Sequence, residues 1–223
     1  KGHRVMVFSL EMGKEQLVQR LLSHRSGVGL KEIRSGDIGP EDEIELRNAA
    51  AHLSELKFYI DDTPGLSAVD VRARSKRIQM QEKGLDFIVV DYLQLMRGTG
   101  GSKQSREQEI SEISRSLKHI AKEMNCTVMA LSQLNRAVES RPDKVPRMSD
   151  LRESGSIEQD ADIICFIYRD VVYNETADPN SAKLVVSKHR AGEIGEIPLY
   201  FDGRYTRFAT DDRMNDHYAG HPG

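Results

Sequence analysis

The chain has 223 residues and a formal net charge of −3 at pH 7, enough length for one large α/β domain and its core. So even a balance excludes a protein that holds nucleic acid by bulk charge, and leaves only local basic clusters for that purpose. No apolar stretch approaches a membrane span and no secretory leader is visible, so a cytoplasmic protein with no membrane partner is expected.

The chain opens in a strand, Arg4-Val5-Met6-Val7-Phe8-Ser9-Leu10. A helix is expected over 14–24, with Leu17, Leu21 and Leu22 on one face. A second helix is expected over 40–56, with Pro40 at its start and acidic residues in its first turn. Phe58-Tyr59-Ile60 is a short strand that Asp61-Asp62-Thr63-Pro64-Gly65 breaks. Residues 67–83 form a basic helix with Ser67 as its N-cap. Phe87-Ile88-Val89-Val90-Asp91 is a short β-branched run and reads as a buried strand of a parallel sheet.

A glycine-rich loop follows, Gly98-Thr99-Gly100-Gly101-Ser102, and then a long polar helix over 105–124. Cys126-Thr127-Val128-Met129-Ala130-Leu131-Ser132 is the next strand. A loop with Arg136, Arg141 and Arg147 leads to a short helix around Ile157. Strands are expected over 163–168, 184–188 and 197–201, with a polar turn over 174–180. Cys126 and Cys165 sit in apolar runs and read as buried free thiols; the histidines have no paired ligand spacing, and no zinc is expected. The fold class that follows is α/β: a mostly parallel sheet flanked by helices, with added antiparallel strands near the C-terminus. No internal repeat and no dividing linker is visible. Residues 1–210 are expected to form one domain and 211–223 a tail.

Ligands of parallel sheets bind beyond the carboxyl ends of the strands. Polar residues occupy those ends here: Glu11, Asp91, Ser132-Gln133, and Lys188-His189-Arg190. Triphosphate hydrolysis needs these types: a carboxylate for the attacking water, another for magnesium, an amide on the γ-phosphate, and a cation for developing charge. Each residue also has a plainer reading. Asp91 fits a turn or cap, Glu11 a helix-start acid, Gln133 an ordinary strand-end amide, and Lys188 with Arg190 a solvated edge pair.

The set resembles the RecA-type ATPase domain of hexameric replicative DNA helicases, the DnaB family. Phe8-Ser9-Leu10-Glu11-Met12 resembles its motif 1a, and Phe87 through Met96 its Walker B strand. Leu131-Ser132-Gln133-Leu134-Asn135-Arg136 resembles motif 3. The run from Asp150 to Asp162 is similar to motif 4, and Ser187-Lys188-His189-Arg190 with Gly192 to the late basic motif. The resemblance runs in family order from Phe8 to about Phe208.

The resemblance implies a RecA-like fold and roles residue by residue. Glu11 is the water-orienting carboxylate, Asp91 holds Mg2+ through water, and Gln133 senses the γ-phosphate of ATP. Arg190, with Lys188 beside it, acts as an arginine finger on the next subunit's nucleotide; its planar fork suits phosphate. Arg152, Glu153 and Gly155 follow the single-stranded DNA backbone, and Lys103 and Arg106 beside the glycine-rich loop are a second DNA contact or simply a surface loop. Aromatic residues are not interleaved with the basic ones, which favours sequence-independent tracking over base stacking. A homo-hexamer, a helicase loader and a primase are the partners it implies.

One part of the pattern is absent: no G-x-x-x-x-G-K-[ST] segment occurs among the 223 residues, and Gly13-Lys14 is followed by Glu15. Backbone amides and a lysine of that segment normally hold the phosphates. This polypeptide alone is therefore expected to bind ATP poorly and to expose a sheet edge, as a truncated product or one half of a split gene would. Two other readings stay open: another RecA-like ATPase of recombinase or clock type, and a non-catalytic oligomerisation or DNA-binding module.

Overall fold

The structure is a computed structural model that describes residues 2–99, 104–151 and 155–210. Lys103, Arg152, Glu153 and the tail 211–223 lie outside the described residues. The backbone divides into two compact units, one drawn from residues 1–18, 52–135 and 149–161, the other from 19–51, 136–148 and 162–223.

In the first unit the β-branched runs pair as a parallel sheet. β1 (Val5–Ser9), β2 (Phe58–Asp61), β3 (Phe87–Asp91) and β4 (Thr127–Ala130) lie in the order β2-β1-β3-β4. The register sets Ser9 beside Asp91 and Val90 beside Ala130. Strand residues two apart share a face, and Met6, Phe8, Ile88 and Val90 bury theirs under helices. α4 (Ala68–Gln81) brings Val71 and Ile78, and α5 (Arg106–Met124) brings Ile110, Ile113, Leu117, Ile120 and Met124. That 3-4-3-4 spacing is one stripe on an otherwise polar helix. Each such side chain contributes roughly 1.5–3 kcal/mol on burial. Ser67 and Ser105 each close a capping box, so both helices start where the sequence placed them. β4 is an edge strand of the described sheet, with Met129 52 % and Leu131 just beyond it 41 % exposed.

In the second unit β5 (Ile163–Tyr168), β6 (Ser181–His189), β7 (Gly195–Asp202) and β8 (Arg207–Ala209) form an antiparallel meander in chain order. α2 (Leu30–Ser35) and most of α3 (Pro40–Ser54) belong to it, while α1 (Lys14–Ser26) starts in the first unit and ends in this one. The expected combination of parallel sheet, helices and late antiparallel strands is what the backbone shows. α2 and β8 were not expected from the sequence. One expectation is corrected: Cys165 is exposed and Cys126 half-buried, though both thiols are free. β5 alternates, turning Ile164 and Phe166 inward and Ile163, Cys165 and Ile167 outward, and its apolar outer face hides that alternation in the sequence. Among the described residues no helix is long and apolar enough to cross a membrane.

Two adjacent strands of the parallel sheet are locked at their starts by charge. Arg4 sets its Nε 2.9 Å and its backbone N–H 2.7 Å from one carboxylate oxygen of Asp86. The Arg4 guanidinium, then its backbone N–H, hold Asp86 down to about 2. A carboxylate lowered this way stabilises the fold above its unfolded value near ~4 and loses that contribution as pH falls toward 2. Asp86→Asn is therefore expected to melt a few degrees below the parent at pH 7. The gap should close by about pH 2, read by thermal unfolding across that range; an equal gap at both pH values would refute the pairing.

Candidate active site at three strand ends

The carboxyl ends of β1, β3 and β4 are neighbours. Past Ser9 the chain stays bonded to β3, with the Leu10 N–H donating to the Asp91 carbonyl at 2.8 Å. On the other side Leu131 donates to the Val90 carbonyl at 2.9 Å, and Leu93 donates back to the Leu131 carbonyl at 3.0 Å. Neighbouring strands run about 4.8 Å apart. Glu11, two residues past Ser9, Asp91 on the end of β3, and Gln133, three past Ala130, therefore share one edge of the sheet.

Local chemistry leaves Glu11 exposed and holds the main chain at Gln133. Buried Ser9 donates its hydroxyl to the Met12 carbonyl at 2.7 Å, which bends the chain and leaves Glu11 exposed. The Glu11 carboxylate has no hydrogen bond or ion pair among the described residues. Asp61, at the end of β2, is the contrast. Burial pushes its carboxyl up, but Arg74 at 2.5 Å and Thr63 more than offset this, and the net shift is downward. Asp61 is thus committed to an ion pair, and Glu11 is not. The first N–H of α1, on Lys14, is taken by Asp62 at 3.0 Å. Gly13-Lys14 is therefore no phosphate cradle, in keeping with its sequence context. Asp91 is half-buried, and its peptide bond to Tyr92 is cis.

Gln133 is exposed, but its main chain is held. The Gln94 side-chain oxygen accepts the Gln133 N–H at 3.1 Å, and the Gln94 amide donates to Ser132 Oγ at 3.0 Å. Gln94 lies within the Walker B-like run, and its own sequence neighbours point to no role for it. The available signal was one polar side chain inside Leu93-Gln94-Leu95-Met96.

Arg106, expected beside the glycine-rich loop, donates from Nη2 to the Gln94 carbonyl at 2.6 Å and pairs with Glu109. Gly155 opens α6 (Gly155–Asp160), and a side chain there would meet nothing within 4 Å. In the second unit Lys188 lies within β6 opposite Ile164. Arg190 stands just past that strand, its N–H on the Asp162 carbonyl at 2.9 Å and its guanidinium 3.7 Å from the Asp162 carboxylate. The His189 ring lies over Gly192, where a Cβ would come within 2.4 Å of it, so a side chain at 192 would make the ring move aside.

A carboxylate free to hold water, a carboxylate on the adjoining strand and an amide beyond it can serve hydrolysis of a polyphosphate. Oxygen donors of this kind suit magnesium held through water, and Asp91 with Glu11 supplies them. Comparisons with known proteins point the same way. The family model for the DnaB-like helicase C terminal domain matches residues 1–210. The replicative DNA helicase DnaB of Geobacillus stearothermophilus is 48 % identical over 223 residues, covering 100 % of this chain and 49 % of that protein. The replicative DNA helicase DnaC of Bacillus subtilis is 48 % identical over 220 residues, covering 98 % and 48 %. The chain thus spans about half the length of these relatives. Among solved structures, the ATPase domain of G40P superposes with a TM-score of 0.89 at 37 % identity, covering 93 % of this chain and 74 % of that one. A DnaB-like replicative helicase, studied with its interactions with primase, has the same TM-score and identity and covers 93 % and 50 %.

Proposed function

The chain belongs to the DnaB-like helicase C-terminal domain family, and on that premise we propose that it is the motor domain of a ring-shaped replicative DNA helicase. In the whole protein, ATP hydrolysis drives movement along single-stranded DNA and separates the duplex ahead. The observation that supports this most directly is the common edge shared by Glu11, Asp91 and Gln133.

Glu11 aligns the attacking water and draws its proton, Asp91 holds the hydration shell of magnesium, and Gln133 donates to the γ-phosphate. Magnesium held there through Asp91 would supply charge neutralisation for the transferring phosphate. No G-x-x-x-x-G-K-[ST] segment that would grip the phosphates occurs among the 223 residues. Head-to-tail packing of six copies lets Arg190, with Lys188, reach the nucleotide of the next protomer. Arg152, Glu153, Gly155 and Lys103 track the single-stranded backbone. Both units make one motor domain over residues 1–210, working in the cytoplasm with a loader and a primase.

The test is a forked duplex given to the complete protein with ATP and magnesium. Unwinding that stops when ATP is withheld is the expected result. Strand exchange or autophosphorylation without unwinding would favour a recombinase or clock-type ATPase. ATP titrated onto the 223-residue chain alone is expected to bind weakly or not at all.

A further inference from the structure

The Gln94 contact belongs to a longer chain of bonds. Leu93 and Met96, 3 % and 2 % exposed, pin the segment that carries Gln94 into the core. Its side chain meets the Gln133 peptide as another peptide would, accepting the N–H at 3.1 Å and lying 3.5 Å from the carbonyl. Its own carbonyl accepts from Arg106 at 2.6 Å. The other arm of that guanidinium pairs with Glu109. Glu109 in turn accepts the Gly98 backbone N–H at 2.5 Å. A Cβ on Gly98 would sit 2.3 Å from the Glu109 side chain, so the approach is open only to glycine. One residue on, the Thr99 hydroxyl donates to Glu112 on the same helix. The Gly98 N–H, aided by Arg106, keeps the Glu109 carboxyl below its ordinary range despite partial burial, so the charge persists at neutral pH.

We propose that Gln94 is a positioning residue for Gln133, and that Arg106 and Glu109 tie it to Gly98 at the root of the glycine-rich loop, so that the Gln133 amide and Gly98 move together. The proposal rests on the reading of Gln133 as the γ-phosphate sensor. It gives Arg106 a different task from touching DNA: its rigid fork puts separate nitrogens on the Gln94 carbonyl and on Glu109, a geometry that the single nitrogen of a lysine does not reproduce. A shift of the Gln133 main chain on loss of the γ-phosphate reaches Gly98 through three residues, Gln94, Arg106 and Glu109, joined by polar contacts. A shift at Gly98 feeds back on Gln133 along the same path, because coupling between two sites is reciprocal.

The experiment uses the complete ring. Gln94→Leu, Gln94→Glu, Arg106→Lys, Gln133→Ala and the double variant Gln94→Leu/Gln133→Ala are compared. The readouts are ATP turnover with single-stranded DNA, KM for ATP, and DNA affinity with a non-hydrolysable ATP analogue against ADP. Gln94→Leu is expected to cut DNA-stimulated turnover about tenfold at unchanged KM, and to flatten the nucleotide dependence of DNA affinity. Gln94→Glu keeps the acceptor for the Gln133 N–H and should recover most of both. Arg106→Lys should flatten the nucleotide dependence as Gln94→Leu does, and it keeps the proposal testable where Gln94→Leu fails to fold. The double variant should be no worse than Gln133→Ala alone. Wild-type coupling in Gln94→Leu and Arg106→Lys beside a crippled Gln133→Ala would overturn the proposal and spare the sensor. Full turnover in Gln133→Ala would instead remove the sensor reading, and the proposal with it.

Discussion

Glu11→Gln in the complete protein is expected to lower ATP turnover by a factor of about 10² to 10⁴, while ATP affinity stays within about twofold. The substitution keeps the size of the side chain and its place on the sheet edge; it removes the charge that draws a proton from water. A structural carboxylate would behave differently, and the neighbouring strand provides one. Asp61 is consumed by Arg74 and Thr63, so Asp61→Asn should cost stability without touching the chemical step. Glu11 has no such partner among the described residues, and a partnerless exposed acid contributes little to folding. Steady-state hydrolysis, nucleotide titration and thermal unfolding of the two variants separate the roles. Turnover retained in Glu11→Gln would end its assignment as base.

The strands and helices of the first unit were legible because their signals are local. Ser67 and Ser105 sit three residues before Asp70 and Gln108, and each pair closes a box that fixes the first turn. The run ending at Asp91 is β-branched and bounded, so its type and end could be read directly. That Glu11, Asp91 and Gln133 would adjoin follows only from strand order, and parallel order is set by crossovers many residues long. What stayed hidden depends on distant partners. α2 is a short, marginal helix whose first N–H finds its acceptor on Arg204, in the turn before β8. No sequence window contains both. The path from Gln133 to Gly98 has the same character: an amide 39 residues upstream provides the contact, and nothing near Gln133 announces it. The exposure of Cys165 is hidden for a third reason. An apolar residue on a strand gives no sign of which face it occupies when both faces are apolar.

Arg190→Ala is expected to reduce ATP turnover of the assembled ring by about 10³ to 10⁵, with the ring itself intact. The proposed task of this residue lies outside its own sheet. Arg190 stands at the strand end, its backbone fixed by Asp162 and its turn shaped by His189 against Gly192, while its side chain is 54 % exposed. The contact to the Asp162 carboxylate is long, 3.7 Å, and a surface pair of this kind is worth about 0–1 kcal/mol. Arg190→Lys should remain slow, because a point charge cannot span two phosphate oxygens as the planar fork does. Action on a neighbouring copy makes a further demand: the loss must depend on assembly. Subunits diluted below ring formation should hydrolyse ATP at the same low rate with or without Arg190, and the two proteins should diverge only as rings form. A deficit that persists in isolated subunits would place the arginine at its own nucleotide; equal turnover in both rings would remove it from the reaction.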